Sequence, residues 1–513
     1  MQLPTKEPNP LNNEVHVIDS FNRNPLFLVT SKKLGEQERE YVVKTWEEAF
    51  AIHGKPSIDD ISPEFIAGII SENATTKFSP YKRIKRLPTS SKVIINEKGF
   101  IEKTIKRKRN ELREKLTEKD LLFIVKTSLE NSISNKLSTV YGNIGIEHSS
   151  GIDSNSILSL IVSHLGISKD RIHTFTNEKA EGEVMKECRK SYNLLQSNIH
   201  KNNIKSAIYN EDYKDIINIL GAPTFSNRSI QFLRILERNN CEILFSGLGG
   251  DQGISHHGLN AATNLVLEKR FNDLIKWSGG KKKAMITFLS RTLTTSIESY
   301  AKYKINKISS KSEKEGLLVN CLSSKGKELF RNYFQEPNLY EIDIYSPMNV
   351  SINNRIYSDT ILLRMEEETR LAQFFNIEKL FPLLDENLIN ILINQDPTYF
   401  SKGKNDGRLI LKNALKDYLP NYLNVVHSKF REVDKEGFKA DLKFIIQYLE
   451  EALTKIETMH EKIHELWDIE KIIMKGEYLL NKNHNNMRYI FRYKSSIDKL
   501  FSLNYWFSKL ENI

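Results

Sequence analysis

Residues 143–158 read NIGIEHSSGIDSNSIL, and the rest of the chain is organised around them. Ile144 to His148 is a short apolar-leaning run of strand type. Ser149-Ser150-Gly151-Ile152-Asp153-Ser154 is a loop of small and polar residues. Ile157, Leu158, Leu160, Ile161 and Leu165 then recur at helical spacing. A strand that turns through small residues into a helix makes an anion site. The first helical turn presents its N–H groups, and the helix dipole favours negative charge. Small side chains let a phosphate come close to the backbone.

Working outward, strand-type and helix-type segments alternate. An amphipathic helix is predicted over Glu118 to Leu137, and strands at Arg171 to Thr176, Asn198 to His200 and Glu242 to Phe245. Helices at Glu181 to Leu195 and Ser229 to Glu237 fall between them. This alternation predicts an α/β fold, a parallel sheet with helices on both faces, whose ligands bind beyond the carboxyl ends of the strands. The last of these strands runs into a second small-residue loop, Ser246-Gly247-Leu248-Gly249-Gly250-Asp251. Both loops then lie on one sheet edge and face one site. From residue 258 onward the pattern is mostly helical, with helices predicted over 260–276, 282–300, 324–335, 356–375, 386–394, 406–418, 435–456 and 462–475. The aromatic stretch 485–510 reads as core, since aromatics at helical spacing usually pack inward. Before residue 105 lies a small α+β region, with strands around Asn24-Pro25, helices at 37–51 and 63–70, and a hairpin over 92–101. The basic run KTIKRKRNELREK at 103–115 reads as a solvated linker, because acidic residues interrupt it; a patch for an acidic peptide or RNA is the sharper alternative.

At 513 residues the chain exceeds one ordinary core, so two or three domains are expected. With 39% hydrophobic and 27% charged residues it falls in the class of water-soluble globular proteins. No apolar run is long enough to span a bilayer, and the N-terminus lacks an apolar signal core, so a cytoplasmic protein with no membrane role is expected. Cys188, Cys241 and Cys321 are far apart and form no CxxC pair, which fits a reducing compartment and argues against zinc and disulfides. A net charge of +10 suits an acidic ligand such as a nucleotide and is weak support for nucleic acid as the partner.

Asp153 and Asp251 are the leading chemical pair. Each ends a small-residue loop after a buried strand, and two carboxylates at a phosphate site suggest Mg²⁺, held by carboxylates and substrate phosphate oxygens. Taken singly, each Asp could simply cap its own helix. The convergence of two on one edge favours nucleotide and magnesium. His256-His257 has no third ligand at helical spacing and reads as local loop structure.

These motifs resemble the asparagine synthetase family. SSGIDS (149–154) resembles its SGGxDS pyrophosphate loop, and SGLGGDQ (246–252) its SGxGxDE loop. EKLFPLLD (378–385) resembles E-x-R-x-P-F-L-D. DGRLILKNA (406–414), followed by Leu419-Pro420, resembles the K-x-x-L-R-x-A segment. HSKF (427–430) resembles the segment that supplies a catalytic lysine. SPYKRIKRLP (79–88) resembles the close of a glutaminase domain. The resemblance spans roughly residues 60–435, with the motifs in the family's order. It implies a pyrophosphate-loop synthetase domain over 116–513 and an inactive glutaminase-like region over 1–105. Departures are clear: Gln2 follows Met1 where the family's nucleophilic cysteine stands, and no cysteine precedes Cys188. Ser150 replaces Gly, Leu248 replaces Glu, Leu380 replaces Arg, and Arg408 replaces Lys. The substrate side has changed more than the ATP side.

What the resemblance implies is acyl adenylation with ATP and Mg²⁺ as cofactors. Asp153 and Asp251 would hold the metal. Ser149, Ser150, Gly151, Asp153, Ser154 and Gly247 would line the nucleotide. Lys429 would stabilise the oxyanion during amide formation, an effect of about 3–4 kcal/mol for a preorganised donor. Glu378 would assist the amine or orient Lys429, with a plain ion pair to Lys379 or a neighbour as the competing reading. With no glutaminase, the amine is ammonia, a second substrate, or part of the substrate itself, as in lasso-peptide cyclases and β-lactam synthetases. The expected partner is a small-molecule or peptide substrate carrying a carboxylate and an amine, with a protease or other peptide-maturation protein as a candidate neighbour. Rival expectations are an ammonia-dependent asparagine synthetase, a non-catalytic ATP-binding partner subunit, and a pyrophosphate-loop enzyme acting on tRNA.

Overall fold

In the computed structural model the described residues are 14–17, 21, 23–30, 40–70, 76, 78–87, 89, 91–96, 99–104, 115–177, 183–202, 212–224, 230–296, 319–333, 346–403, 406–420, 435–481 and 487–512. The centre is a five-stranded sheet. To number its strands in chain order, the N-terminal strands come first: β1 Glu14–Val17, β2 Phe27–Thr30, β3 Glu40–Val43, β4 Ile84–Arg86, β5 Ser91–Asn96 and β6 Gly99–Thr104. The sheet itself comprises β7 Asn143–Glu147, β8 Ile172–Asn177, β9 Ile199–Asn202, β10 Cys241–Phe245 and β11 Glu378–Leu380, in the order β11-β10-β7-β8-β9. Every pairing in it is parallel. The α/β reading therefore holds, and the strand that feeds the first loop is central, with the strand that feeds the second loop beside it.

Local chemistry explains most elements. Helix Glu118–Leu137 starts at Thr117, whose side chain accepts from the Asp120 N–H, and buries Leu121, Val125, Leu129, Ile133 and Leu137. Those positions, four apart, form one stripe against the sheet. Ile144, Ile146, Ile243 and Phe245 of β7 and β10 belong to the same apolar cluster. Both strands are buried along nearly their whole length, as the inner strands of a parallel sheet should be.

A second core joins the two ends of the sequence. Phe27, Trp46, Phe65 and Tyr81 pack with Leu449, Tyr493, Trp506 and Phe507. The indole N–H of Trp506 donates to Tyr81 Oη and to the carbonyl of Gly221, both at 3.2 Å. The aromatic C-terminal stretch is thus core, within helix Met487–Glu511. A buried fork ties the same N-terminal region to helix Asp359–Phe374: Arg86 donates through Nε to Glu366 Oε2 at 3.0 Å and through Nη2 to Oε1 at 2.9 Å. The N-terminal region accordingly shares its interior with the last helices.

Several predicted helices are shorter or split. The helix expected over 37–51 begins at Trp46, because Thr45 and Glu48 form a capping box there and Glu40–Val43 pairs as β3. The span 260–276 divides into Ala261–Leu267 and Phe271–Ser278, with Lys269 at φ +56° between them. The span 356–375 starts anew at Ser358, which caps the helix that follows, and 462–475 divides at Trp467 into Glu461–Leu466 and Ile469–Asn481. The largest difference lies at 406–418. β12 Ser401–Gly403 pairs antiparallel with β13 Asp406–Gly407, and only Leu409–Ala414 is α-helix. No helix among the described residues is long and apolar enough to cross a membrane.

Candidate functional site

β7 and β10 run side by side in register, Ile146 beside Phe245, so their loops leave the sheet together. The first loop enters helix Ile152–Ser159 through Gly151, whose extended backbone (φ −75°, ψ 150°) is that of a helix N-cap. Its shape is set from inside by short polar side chains. The Ser149 N–H donates to Ser154 Oγ at 3.0 Å, and the Gly151 N–H donates to Ser149 Oγ at 3.2 Å. Buried Asn155 donates through Nδ2 to the carbonyls of Ser149 (2.9 Å) and Gly151 (2.7 Å), while its Oδ1 lies 3.0 Å from His148 Nε2. Ser149 stays exposed and Ser150 half-buried, so the loop's outer side faces solvent.

The second loop is held by close approach. A side-chain carbon added at Gly247 would sit 3.0 Å from the Ser154 nitrogen, and one at Gly250 would sit 2.5 Å from Asp153 Oδ1. Glycine at these two positions lets the second loop rest directly on the start of the first helix. Gly249 has φ +89°, and a side-chain carbon there would lie 2.2 Å from Leu384 Cγ. Turns continue to Ser255, whose N–H donates to the Gly250 carbonyl at 3.0 Å and whose hydroxyl donates to Asp153 Oδ1.

Asp153 and Asp251 meet as expected, but on a partner that the sequence did not reveal. Arg408 reaches Asp251 Oδ1 through Nη2 and lies 3.5 Å from Asp153 Oδ2 through Nη1. Burial first, and then the negative charge of Asp251, raise the pKa of Asp153 to about 7, against the opposing effects of Arg408 and Ser255. Two carboxylates that share one cation are close enough to share a divalent one. Among the described residues no group of three or more His, Cys, Asp or Glu side chains could hold a metal alone. The donor set therefore suits Mg²⁺ completed by phosphate oxygens rather than an all-protein cage.

Beyond this site, a charged chain crosses the carboxyl edge of the sheet. Glu147, the last residue of β7, accepts from Ser246 Oγ and from Lys379 Nζ, each at 2.5 Å. Lys379 is buried and also pairs with Glu368 at 2.7 Å. The neighbouring Glu378 does not join the site. It points to the surface and pairs with Lys136 at 2.5 Å, with both side chains about half exposed. This is the plain ion pair that competed with its catalytic reading, made with Lys136 rather than Lys379. Lys429 lies outside the described residues. His256 and His257 accept the N–H groups of Gly258 and Leu259 at 3.1 Å, as loop structure. Leu248 and Leu380 pack against the main core, where the resembling motifs carry charge. Lys412, on the helix that follows Arg408, is buried, and burial lowers its pKa, with Asp406 opposing and the Arg408 charge adding to the drop.

The family model described as asparagine synthase matches residues 125–506. The chain belongs to the asparagine synthase family. The match takes in both loops, the strand that follows them and the helices down to Trp506, more than half of the sequence. Asparagine synthases are ATP-dependent ligases of the amidoligase type, which accords with a small-residue loop at a helix N-terminus beside two carboxylates. No curated protein matches the chain at a significant level.

Proposed function

We propose that the protein is an AMP-forming amide ligase that activates a substrate carboxylate with ATP and passes the acyl group to an amine. The observation that carries this reading is the convergence of Asp153 and Asp251, from two adjacent loops, on one cation position beside a helix N-terminus. In the reaction the carboxylate oxygen attacks the α-phosphorus of ATP and pyrophosphate leaves. The amine then attacks the acyl carbon, loses a proton, and AMP departs. Mg²⁺, when bound, would offset charge on the departing pyrophosphate; Asp153 and Asp251 would hold it. Ser149, Ser150, Gly151, Ser154 and Gly247 would line the pyrophosphate. Lys429 is assigned the developing oxyanion by its sequence register.

Residues 1–105 contain no cysteine, and side chains between Phe27 and Ile84 are built into the core of the C-terminal helices. This region is read as a structural remnant of a glutaminase domain. The amine then comes from the substrate itself, from a second substrate or from ammonia. Leu248 and Leu380 stand where the resembling motifs carry charge, which favours a substrate other than aspartate. A peptide natural product closed on itself, as in lasso-peptide macrolactam formation, is the reading we favour. Holding the acyl-adenylate and the amine in one molecule would supply much of the rate. An ammonia-dependent asparagine synthetase remains the enzymatic rival.

ATP–pyrophosphate exchange tests this with pooled carboxylates and candidate peptides. Exchange that depends on Mg²⁺ and on Asp153 supports the ligase. A second reading, a non-catalytic ATP-binding partner subunit, is favoured by the guanidinium of Arg408 at the metal position. ATP binding without exchange under any condition would support it instead.

A further inference from the structure

Arg408 occupies a backbone state that few side chains adopt. Its φ is +64°, between β13 and helix Leu409–Ala414. Left-handed residues of this kind cost free energy and persist where the surroundings hold them. Here the surroundings do so. A side-chain carbon at Gly407 would lie 2.2 Å from the carbonyl oxygen of His257, so the chain before Arg408 is pressed against the loop that follows Asp251. The Leu409 N–H donates to the Phe400 carbonyl at 3.2 Å, which fixes the chain after it. The side chain emerges with only 16% of its surface exposed and spans the two carboxylates.

We propose that Arg408 is a built-in counter-cation: in the resting protein it closes the position between Asp153 and Asp251, so that a divalent cation enters only together with a triphosphate. The inference rests on the nucleotide reading above and deepens it. A metal ion alone has to compete with a guanidinium for both carboxylates. A metal–triphosphate complex brings its own oxyanions, so the displaced guanidinium exchanges one set of anionic partners for another. Binding is therefore ordered, and adventitious divalent ions do not load the site without nucleotide.

The test is Mn²⁺ binding by the full chain, followed by electron paramagnetic resonance, with and without a non-hydrolysable ATP analogue. The wild type should bind Mn²⁺ at least about tenfold more tightly with the analogue than without it. Arg408→Gln should bind Mn²⁺ alone at least about tenfold more tightly than the wild type, and Arg408→Lys, a point charge in place of a fork, should fall between. Asp153→Asn should abolish the added binding in the Arg408→Gln background, which ties the ion to this site. Equal Mn²⁺ affinity of wild type and both Arg408 variants, in proteins that still bind the analogue, would overturn the counter-cation role alone. Failure of every protein to bind the analogue would overturn the nucleotide reading, and this inference with it.

Discussion

The two loops at the sheet edge reach similar positions by opposite means. Ser149–Ser154 is shaped from within, by hydroxyls and the Asn155 amide that satisfy its own backbone. Ser246–Asp251 has turn bonds of its own, from the Leu248 N–H to Ser246 Oγ and from the Gly250 N–H to the Gly247 carbonyl, both at 3.3 Å. Its place is nevertheless set from without, because glycines let it lie on Asp153 and Leu384. The first loop can keep its form while its outer side meets a ligand. The second is a spacer whose place depends on its neighbours, and it brings Asp251 to a distance set by packing. The proposed metal site would draw one carboxylate from a self-supporting turn and the other from a packed one.

The largest expected effect comes from breaking the packed loop. Gly249→Ala adds a carbon that meets buried Leu384 and forces an alanine to a positive φ. It should cost about 3 kcal/mol or more of stability, read as a drop in the urea midpoint at unchanged m. An unchanged midpoint would mean that the second loop is not held by close approach. Next comes the self-supporting loop. Asn155→Ala leaves the Ser149 and Gly151 carbonyls without its amide and should cost about 2 kcal/mol, with a larger loss in ATP affinity than the stability change alone would give.

The fold was legible in the sequence wherever its cause is local. A buried strand, a run of small residues and a helix follow each other within NIGIEHSSGIDSNSIL, and the cap at Thr117 and the four-residue stripe after it mark the preceding helix. The two loops could be set on one edge because adjacent parallel strands leave a sheet in the same direction. Arg408 was not legible as their partner. It lies 255 residues from Asp153, and its aim depends on a left-handed backbone held by Phe400 and His257. Glu378 could not be settled between its two readings for a related reason. β11 has three residues, too few for alternation to show which side chain turns inward; Lys379 does, and Glu378 pairs with Lys136. The helix expected over 406–418 failed because residues 406–407 pair with β12 instead.

A smaller effect should appear in pH dependence. Asp153 has its pKa raised to about 7 in the folded protein, by burial and by Asp251, so the folded state holds that proton more tightly than the unfolded chain. Its contribution to stability is fully present below the ordinary carboxylate value of 3.8 and is lost as pH rises through about 7. Asp153→Asn should flatten this slope, changing the difference in Tm between about pH 4 and about pH 8 by about 2–4 °C. Parallel profiles for the two proteins would contradict the environment assigned to Asp153. The smallest effect completes the comparison of the loops. Gly151 has an ordinary φ of −75°, and only Ser149 Oγ, at 3.3 Å, crowds an added carbon, so Gly151→Ala should cost about 1 kcal/mol, the loss of a glycine N-cap included. Thermal melting would read it, and a loss comparable to that of Gly249→Ala would erase the distinction between the loops.

If the two loops form one nucleotide–metal site, equilibrium binding of a non-hydrolysable ATP analogue depends on both carboxylates through the metal. With Mg²⁺ present, Asp153→Asn and Asp251→Asn should each weaken binding at least about tenfold, and with Mg²⁺ removed by EDTA both should bind within about threefold of the wild type. Affinity for the magnesium complex that is unchanged in both variants would contradict a shared nucleotide–metal site.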